Sequence, residues 1–390
     1  MARATFGSRY NPNVVEVLIA GAGPAGSVAA LVLARAGARV LLLDRARFPR
    51  DKLCGDTLNP GSMALLRRLG LDALVEARGL KLDGMVVTGE GGVRVEGNYG
   101  AGIHARAVVR RDLDQWLLAA AIDAGAQFEE AVQVLEPLVH EGDAGPEVRG
   151  VVVKGRDGRR LRIPALLTIA ADGRRSALAA AVGLVSQPAR PRRWAAGGYF
   201  EDVTAMSAHG EMHVRRGRYI GVAPVPGGLV NACLVTEEPR GFEDPTGLLR
   251  DAITADPMLC DRFARARIAR PAVSLGPLAV DARAAGMPGL LLAGDAAGFI
   301  DPMTGDGIRF AMRGAELAAG VALEGFEQGQ APAHVRLDAA RRLEFARKQR
   351  VNRALRTLVS CPFAVHAAAL AAAVAPAVLR RLIAIAGDVP

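Results

Sequence analysis

Short apolar runs punctuated by glycine set the rhythm of this chain. Val15–Ile19 is apolar and β-branched and reads as a buried strand. Gly21, Gly23 and Gly26 follow at GxGxxG spacing. Ser27–Ala36 then has helical composition, and Gly37 reads as its stop. Val40–Leu43 is a second apolar strand, ending in Asp44. An acid about 20 residues beyond the glycines completes the pattern of a dinucleotide-binding βαβ unit. Gly21 permits the turn off the strand, Gly23 lets a pyrophosphate approach the backbone, and Gly26 lets helix and sheet pack closely. With Ala22, Pro24 and Ala25 they form a turn at a helix N-terminus, whose N–H groups and positive dipole end face the phosphates. Asp44, followed by Arg45, can accept hydrogen bonds from a ribose diol. This stretch alone does not choose between FAD and NAD(P).

The same patterning continues. Ser62–Leu71 and Val108–Ala124 read as helices, and Lys81–Glu96 alternates as a hairpin. Gln127–Leu138, Glu147–Val153, Arg159–Ile163 and Leu166–Ala170 read as strands, the last running into Asp172 and Gly173. Trp194–Glu201, Glu211–Val214, Tyr219–Val225 and Leu229–Thr236 are successive strand-like runs with short turns, which suggests an antiparallel sheet. Asp244–Ala266 reads as helix. Gly289–Ala293 is one more buried strand, and a Gly- and Pro-containing loop leads from it to a helix near Gly307. From Ala333 the pattern is helical. The fold class expected is α/β, with a Rossmann-like cofactor domain of residues 1–80, 105–185 and 275–330. An inserted antiparallel-sheet substrate domain takes residues 81–104 and 186–274, and a helical C-terminal tail takes 331–390.

Composition narrows the partners. At 390 residues the chain has room for two or three domains. The net charge of +9 comes from dispersed arginines, and aromatics are only 4%, so no stacking platform for nucleic acid is present. Cys54, Cys233, Cys260 and Cys361 form no CxxC pair, which argues against a disulfide framework or zinc site and for a cytoplasmic setting. The first residues lack the apolar core of a signal peptide. His209 and His213 are spaced i, i+4, but on a strand-like run with no third ligand, so no metal is expected. Phe363–Leu379 is apolar but short for a membrane span and contains Pro376. It either packs on the cofactor domain or lies on a membrane surface with Arg380 and Arg381 at the headgroups.

The second strong signal is Gly289–Phe310. Gly294 and Asp295 stand at a strand end, where the acid can hold a ribityl or ribose hydroxyl. The N–H groups of Gly307 and Ile308 sit at a helix start suited to developing negative charge, such as that around the pyrimidine carbonyl of a reduced flavin. Asp301 and Asp306 either pair for acid–base work or Asp306 caps the helix. Cys54 is either a small loop residue or, beside Lys52 and a flavin, a thiol of lowered pKa.

GAGPAG with Asp44, ADG at Ala171–Gly173 with Ser176, and GDAAGFIDPMTGDGIRFAM resemble the glutathione-reductase-type flavoprotein monooxygenases and their relatives. Within that group, KLCGD at Lys52–Asp56 and DPMTGDGI at Asp301–Ile308 most resemble the geranylgeranyl reductase family. The resemblance runs over about residues 14–325. It implies FAD, with Gly21, Gly23, Gly26 and Asp44 at the adenosine and pyrophosphate. It also implies Arg111 as a cofactor-holding arginine, and Asp172 and Gly173 near the pyridine-nucleotide path. Asp295 falls at the ribityl–phosphate region, and Gly305, Gly307 and Ile308 at the isoalloxazine. Cys54 and Gly55 match a pair beside the flavin's reactive face. The family's YxWxFP-like strand corresponds to Tyr219-Ile220-Gly221-Val222-Ala223-Pro224. Tyr219 and Pro224 survive, while Gly221 and Ala223 replace large aromatics, so the pocket wall differs. The WxWxIP motif of flavin-dependent halogenases is absent.

The resemblance implies an FAD-dependent oxidoreductase that reduces C=C bonds of an apolar, isoprenoid or polyketide-like substrate. Reduced flavin gives the hydride, and Cys54 or water the proton. NAD(P)H or another reductant, including a donor protein, serves transiently, since no second dinucleotide motif is present. The alternative on the same scaffold is a monooxygenase that hydroxylates or epoxidises through a C4a-hydroperoxide. A binding protein without turnover and an NAD-linked dehydrogenase are rivals from other classes.

Overall fold

Every residue of β1 (Val17–Ala20) is buried, because both faces of this strand are covered. Val17 and Ile19 pack on one side with Val28, Leu31, Leu113 and Met312. Leu18 and Ala20 pack on the other with Val148, Val151 and Leu178. An unbroken apolar run is what a doubly covered parallel strand requires. The computed structural model describes residues 15–53, 55–142, 145–188, 192–328 and 332–360.

Along the chain, α1 (Pro24–Arg35) and β2 (Val40–Asp44) complete the opening unit. Then come α2 (Pro60–Arg68), the hairpin β3 (Gly84–Thr88) and β4 (Arg94–Asn98), and α3 (Arg110–Asp123). Five strands follow: β5 (Gln127–Glu130), β6 (Gln133–Gly142), β7 (Gly145–Lys154), β8 (Arg160–Pro164) and β9 (Leu167–Ala170). Next are β10 (Trp194–Glu201), β11 (His209–Arg215), β12 (Arg218–Val225) and β13 (Leu229–Thr236). The remainder comprises α4 (Pro245–Thr254), β14 (Arg267–Leu275), β15 (Gly286–Met287), β16 (Leu290–Leu292), α5 (Gly307–Gln328) and α6 (Ala333–Ser360).

One sheet runs β15-β16-β9-β1-β2-β5, parallel except for β15. A small antiparallel sheet, β8-β7-β6, contributes to the core on one of its faces. A third sheet runs β14-β10-β13-β12-β11-β3-β4. It is antiparallel apart from β11 and β3, which pair in parallel because the hairpin joins from a distant part of the chain.

Two expectations are corrected here, and one strand is added. Gln127–Leu138 is not one strand: Ala131 takes φ +58° and the chain changes sheets there. Asp244–Ala266 is two helices, α4 and a turn at Cys260–Phe263, with Pro257 between them. Arg267–Leu275 is a strand, and its Pro271 is accommodated because β14 is the sheet edge. Among the described residues no helix is long and apolar enough to cross a membrane, and Phe363–Leu379 lies outside them.

The βαβ turn depends on absent side chains. A Cβ on Gly26 would stand 1.7 Å from the Gly21 carbonyl oxygen. Gly26→Ala is therefore expected to cost about 3 kcal/mol, at the upper end for overpacking. Gly55→Ala, where no atom lies within 4 Å of an added Cβ, serves as the control in urea titrations.

Candidate active site

The turn after β1 is shaped by contact on one side and space on the other. Gly21 has φ +98°, and a Cβ there would meet the Ala171 carbonyl oxygen at 2.4 Å. At Gly23 an added Cβ would meet only the Arg50 guanidinium, at 3.3 Å. Pro24 begins α1, and no side chain caps that helix. Its N-terminal N–H groups are thus available to an anion. Asp44 Oδ2 accepts the Ala22 N–H at 2.8 Å, and Oδ1 accepts the Ala46 N–H at 2.8 Å. The second strand's terminal acid is locked onto the turn while keeping lone pairs for a ribose.

Gly21, Gly23, Pro24, Ala25, Asp44 and Arg45 all border one cavity of about 1190 Å³. Arg50, Lys52, Arg110 and Arg174 border it too. Burial, then the charges of Arg174, Arg50 and Arg110, lower the Lys52 pKa. Burial likewise lowers that of Arg174, against the pull of Asp295. Burial raises the Asp295 carboxyl, opposed by Arg174, Lys52 and Arg110. Asp172 is raised by burial against several hydrogen bonds, and its Oδ2 accepts the Ala177 N–H at 2.9 Å. Crowded cations beside an open glycine cradle fit a diphosphate, and the carboxylates fit sugar hydroxyls. The donor set therefore suits FAD.

At another wall, Asp301 caps the turn Pro302–Thr304, and Gly305 takes φ +67° before α5 begins at Gly307. Asp301 Oδ1 accepts the Tyr219 hydroxyl at 2.7 Å, and Oδ2 accepts from Arg193 at 2.8 Å. Burial, together with Asp301, pushes Tyr219 well above the phenol range. Gly305, Gly307 and Ile308 border the cavity, as do Gly55, Gly173, Gly294 and Asp295. Asp301 and Asp306 are engaged in separate contacts, Asp306 with Asn59 and Lys348, so they do not pair with each other.

Two placements differ from expectation. Arg111 is half exposed and sits 3.7 Å from Asp51, outside the cavity wall. The arginine at the wall is Arg110, one residue earlier, turned inward by a two-pronged contact with Asp114 at 2.8 and 3.0 Å. Pro224 is not a wall residue, while Tyr219, Gly221 and Ala223 are. Val222 borders the cavity as well, although with Ile220 it also packs with Leu249 and Ile253 behind the sheet. Cys54 lies outside the described residues; Lys52, Leu53 and Gly55 beside it border the cavity. His209 and His213 are on a strand, and His213 is buried between Thr88 and Glu211 at 2.9 Å each. Burial tends to raise Glu211, but His213 and Arg262 outweigh it and bring that carboxyl down to about 2.

Asp56 closes the KLCGD stretch. It is fully buried at φ +52°. It accepts from Tyr199 at 2.5 Å, Asn231 at 2.8 Å and the Arg110 N–H at 3.1 Å. It thereby ties the cofactor-side loop and α3 to β10 and β13. Burial pushes its carboxyl up to about 6, with the Tyr199 and Asn231 hydrogen bonds pulling down. Between about pH 4 and pH 6 the unfolded chain ionises Asp56 while the fold holds the proton. Stability then falls by roughly 3 kcal/mol as pH rises through that window, and levels off above it. Urea titrations across this range are expected to show the fall in wild type and its loss in Asp56→Asn. Separately, Arg110→Ala is expected to weaken FAD binding at least tenfold and Arg111→Ala hardly at all, as read by flavin fluorescence.

Residues 14–235 match the FAD binding domain family. Over 328 residues the chain is 31% identical to a menaquinone reductase of Mycolicibacterium smegmatis, spanning 78% of this chain and 75% of that protein. It is 30% identical over 326 residues to digeranylgeranylglycerophospholipid reductase 1 of Methanopyrus kandleri, spanning 80% and 81%. A flavoprotein/dehydrogenase structure from Cytophaga hutchinsonii shares the fold, with TM-score 0.81 and 22% identity over 96% of this chain and 92% of that one. With a glycine cradle, a cationic diphosphate wall and these relatives in agreement, the chain belongs to the FAD-dependent oxidoreductases, in the geranylgeranyl reductase family.

Proposed function

We propose that this protein reduces a carbon–carbon double bond of an apolar, isoprenoid or polyketide-like substrate bound between the parallel sheet and the large mixed sheet. One observation carries the reading: the glycine cradle and an apolar chamber are parts of a single cavity. Met85, Val87, Met212, Val214, Val235 and Leu275 line the chamber. An added Cβ on Gly221 would find its nearest neighbour only at 3.9 Å, so the wall is wide where relatives carry aromatics. The main polar groups on that wall are already engaged, Glu211 by Arg262 and His213, and Tyr219 by Asp301. Such a wall favours an apolar chain over a polar one. The named substrates of two relatives, menaquinone and digeranylgeranylglycerophospholipid, support that class.

Bound FAD, once reduced, supplies hydride. In this reading Gly23, Arg50, Lys52, Arg110 and Arg174 hold the diphosphate, and Asp44 and Asp295 hold sugar and ribityl hydroxyls. The first N–H groups of α5, at Gly307 and Ile308, would hold the flavin's pyrimidine edge and stabilise negative charge there. The apolar wall excludes water from the reacting carbon atoms. The Cys54 thiol or a water supplies the proton. The substrate-facing part of the chain is residues 81–104 and 186–274, and the cofactor-facing part is the remainder to residue 330. NAD(P)H or a donor protein delivers electrons without a dinucleotide domain of its own.

Holoenzyme reduced without oxygen and mixed with a polyprenyl lipid should yield product that has gained two hydrogens in its polyprenyl chain, located by fragmentation mass spectrometry. Product that has gained an oxygen atom, formed only after air is admitted, would establish the monooxygenase instead.

A further inference from the structure

At the start of α5 a buried ion pair reaches the cavity from behind. The Asp306 carbonyl accepts the Phe310 N–H at 2.9 Å, so α5 springs from this residue. Its carboxylate Oδ1 accepts from Lys348 Nζ at 2.6 Å and from Asn59 Nδ2 at 2.9 Å. Asn59 in turn caps α2, accepting the Ser62 N–H at 2.9 Å and the Ser62 hydroxyl at 2.8 Å. Asp306 and Lys348 are both buried. One carboxylate therefore joins the N-termini of α2 and α5 to the middle of α6. Phe345 of α6 packs edge-on against Phe310, with ring centres 4.9 Å apart, and Glu344 pairs with Arg313 at 2.9 Å. These contacts fix the face from which Lys348 projects.

The pair adjoins the cavity. Asn59, Gly307 and Ile308 all border it. A helix N-terminus carries roughly half a positive charge. An unbalanced carboxylate one residue before Gly307 would offset that charge. The reach of Asp306 is visible in Tyr99, another wall residue, whose hydroxyl is raised above the phenol range by burial and by Asp306.

We propose that Lys348 is a positioning residue for the flavin: by balancing Asp306, it keeps the start of α5 electropositive toward the isoalloxazine and so raises the cofactor's reduction potential. The C-terminal helix is then part of the redox site. This inference rests on FAD being the bound cofactor.

The test is spectroelectrochemical titration of purified holoenzymes at one fixed pH. Lys348→Met should favour oxidised over reduced flavin by about tenfold relative to wild type, a fall of about 30 mV for the two-electron couple. Asp306→Asn, which keeps the size and shape of the side chain, should shift the potential upward. The double variant should return toward wild type, and Lys348→Arg should match it. A merely structural role predicts no opposite signs. Equal potentials in all variants, or shifts of one sign in both single variants, would overturn the proposal. Should Lys348→Met not fold, Asp306→Asn and Lys348→Arg decide it alone. A wild-type protein that purifies without flavin overturns the cofactor reading itself, whereas a yellow wild type with unmoved variants overturns only the role of Lys348.

Discussion

The rest of the site depends on one close approach, that of α1 to the strand before it. Gly26 lies so near the Gly21 carbonyl, and Gly21 so near that of Ala171, that side chains at these positions would collide with backbone. This contact brings the start of α1 level with the ends of β1 and β9. Asp44 then closes the turn by accepting the Ala22 N–H. Gly23 alone of the three faces space rather than backbone. Two glycines are there to let the protein pack, and one to let a ligand in.

The second constraint is electrostatic. Arg50, Lys52, Arg110 and Arg174 crowd one wall; burial lowers Lys52 and Arg174, and at Lys52 the neighbouring Arg174, Arg50 and Arg110 add to it. A diphosphate would relieve that repulsion, so binding is partly preorganised. Asp56 ties this wall to the large mixed sheet through Tyr199 and Asn231. Asp301 does the same through Tyr219 and Arg193. The loop beside the glycine cradle and the large mixed sheet are thus joined by two buried carboxyl groups from separate loops.

The opening unit was legible because its information is local: glycine spacing, apolar runs and a terminal acid all fall within thirty residues. The runs of the large sheet were legible for the same reason, and Trp194–Glu201 and Leu229–Thr236 stand as read. Side-chain direction was not. Which of Arg110 and Arg111 points inward is set by the contact with Asp114 and by the start of α3. Ala223 borders the cavity and Pro224 does not, a difference that the motif by itself does not carry. Asp56 and Lys348 were invisible because their partners lie far away in sequence. The Asn59–Asp306 bond spans 247 residues and the Tyr199–Asp56 bond 143. The break at Ala131 needs φ +58°, which alanine composition gives no reason to expect.

The most direct test is a crystal structure of the holoenzyme with its cofactor and an apolar substrate analogue. FAD should lie with its adenosine at Asp44, its diphosphate among Gly23, Arg50 and Arg174, and its ring at Gly305–Ile308. The analogue should fill the chamber beside Met212 and Gly221. An isoalloxazine placed away from that chamber, or an analogue bound outside it, would contradict the proposed reduction of an apolar double bond in one continuous cavity.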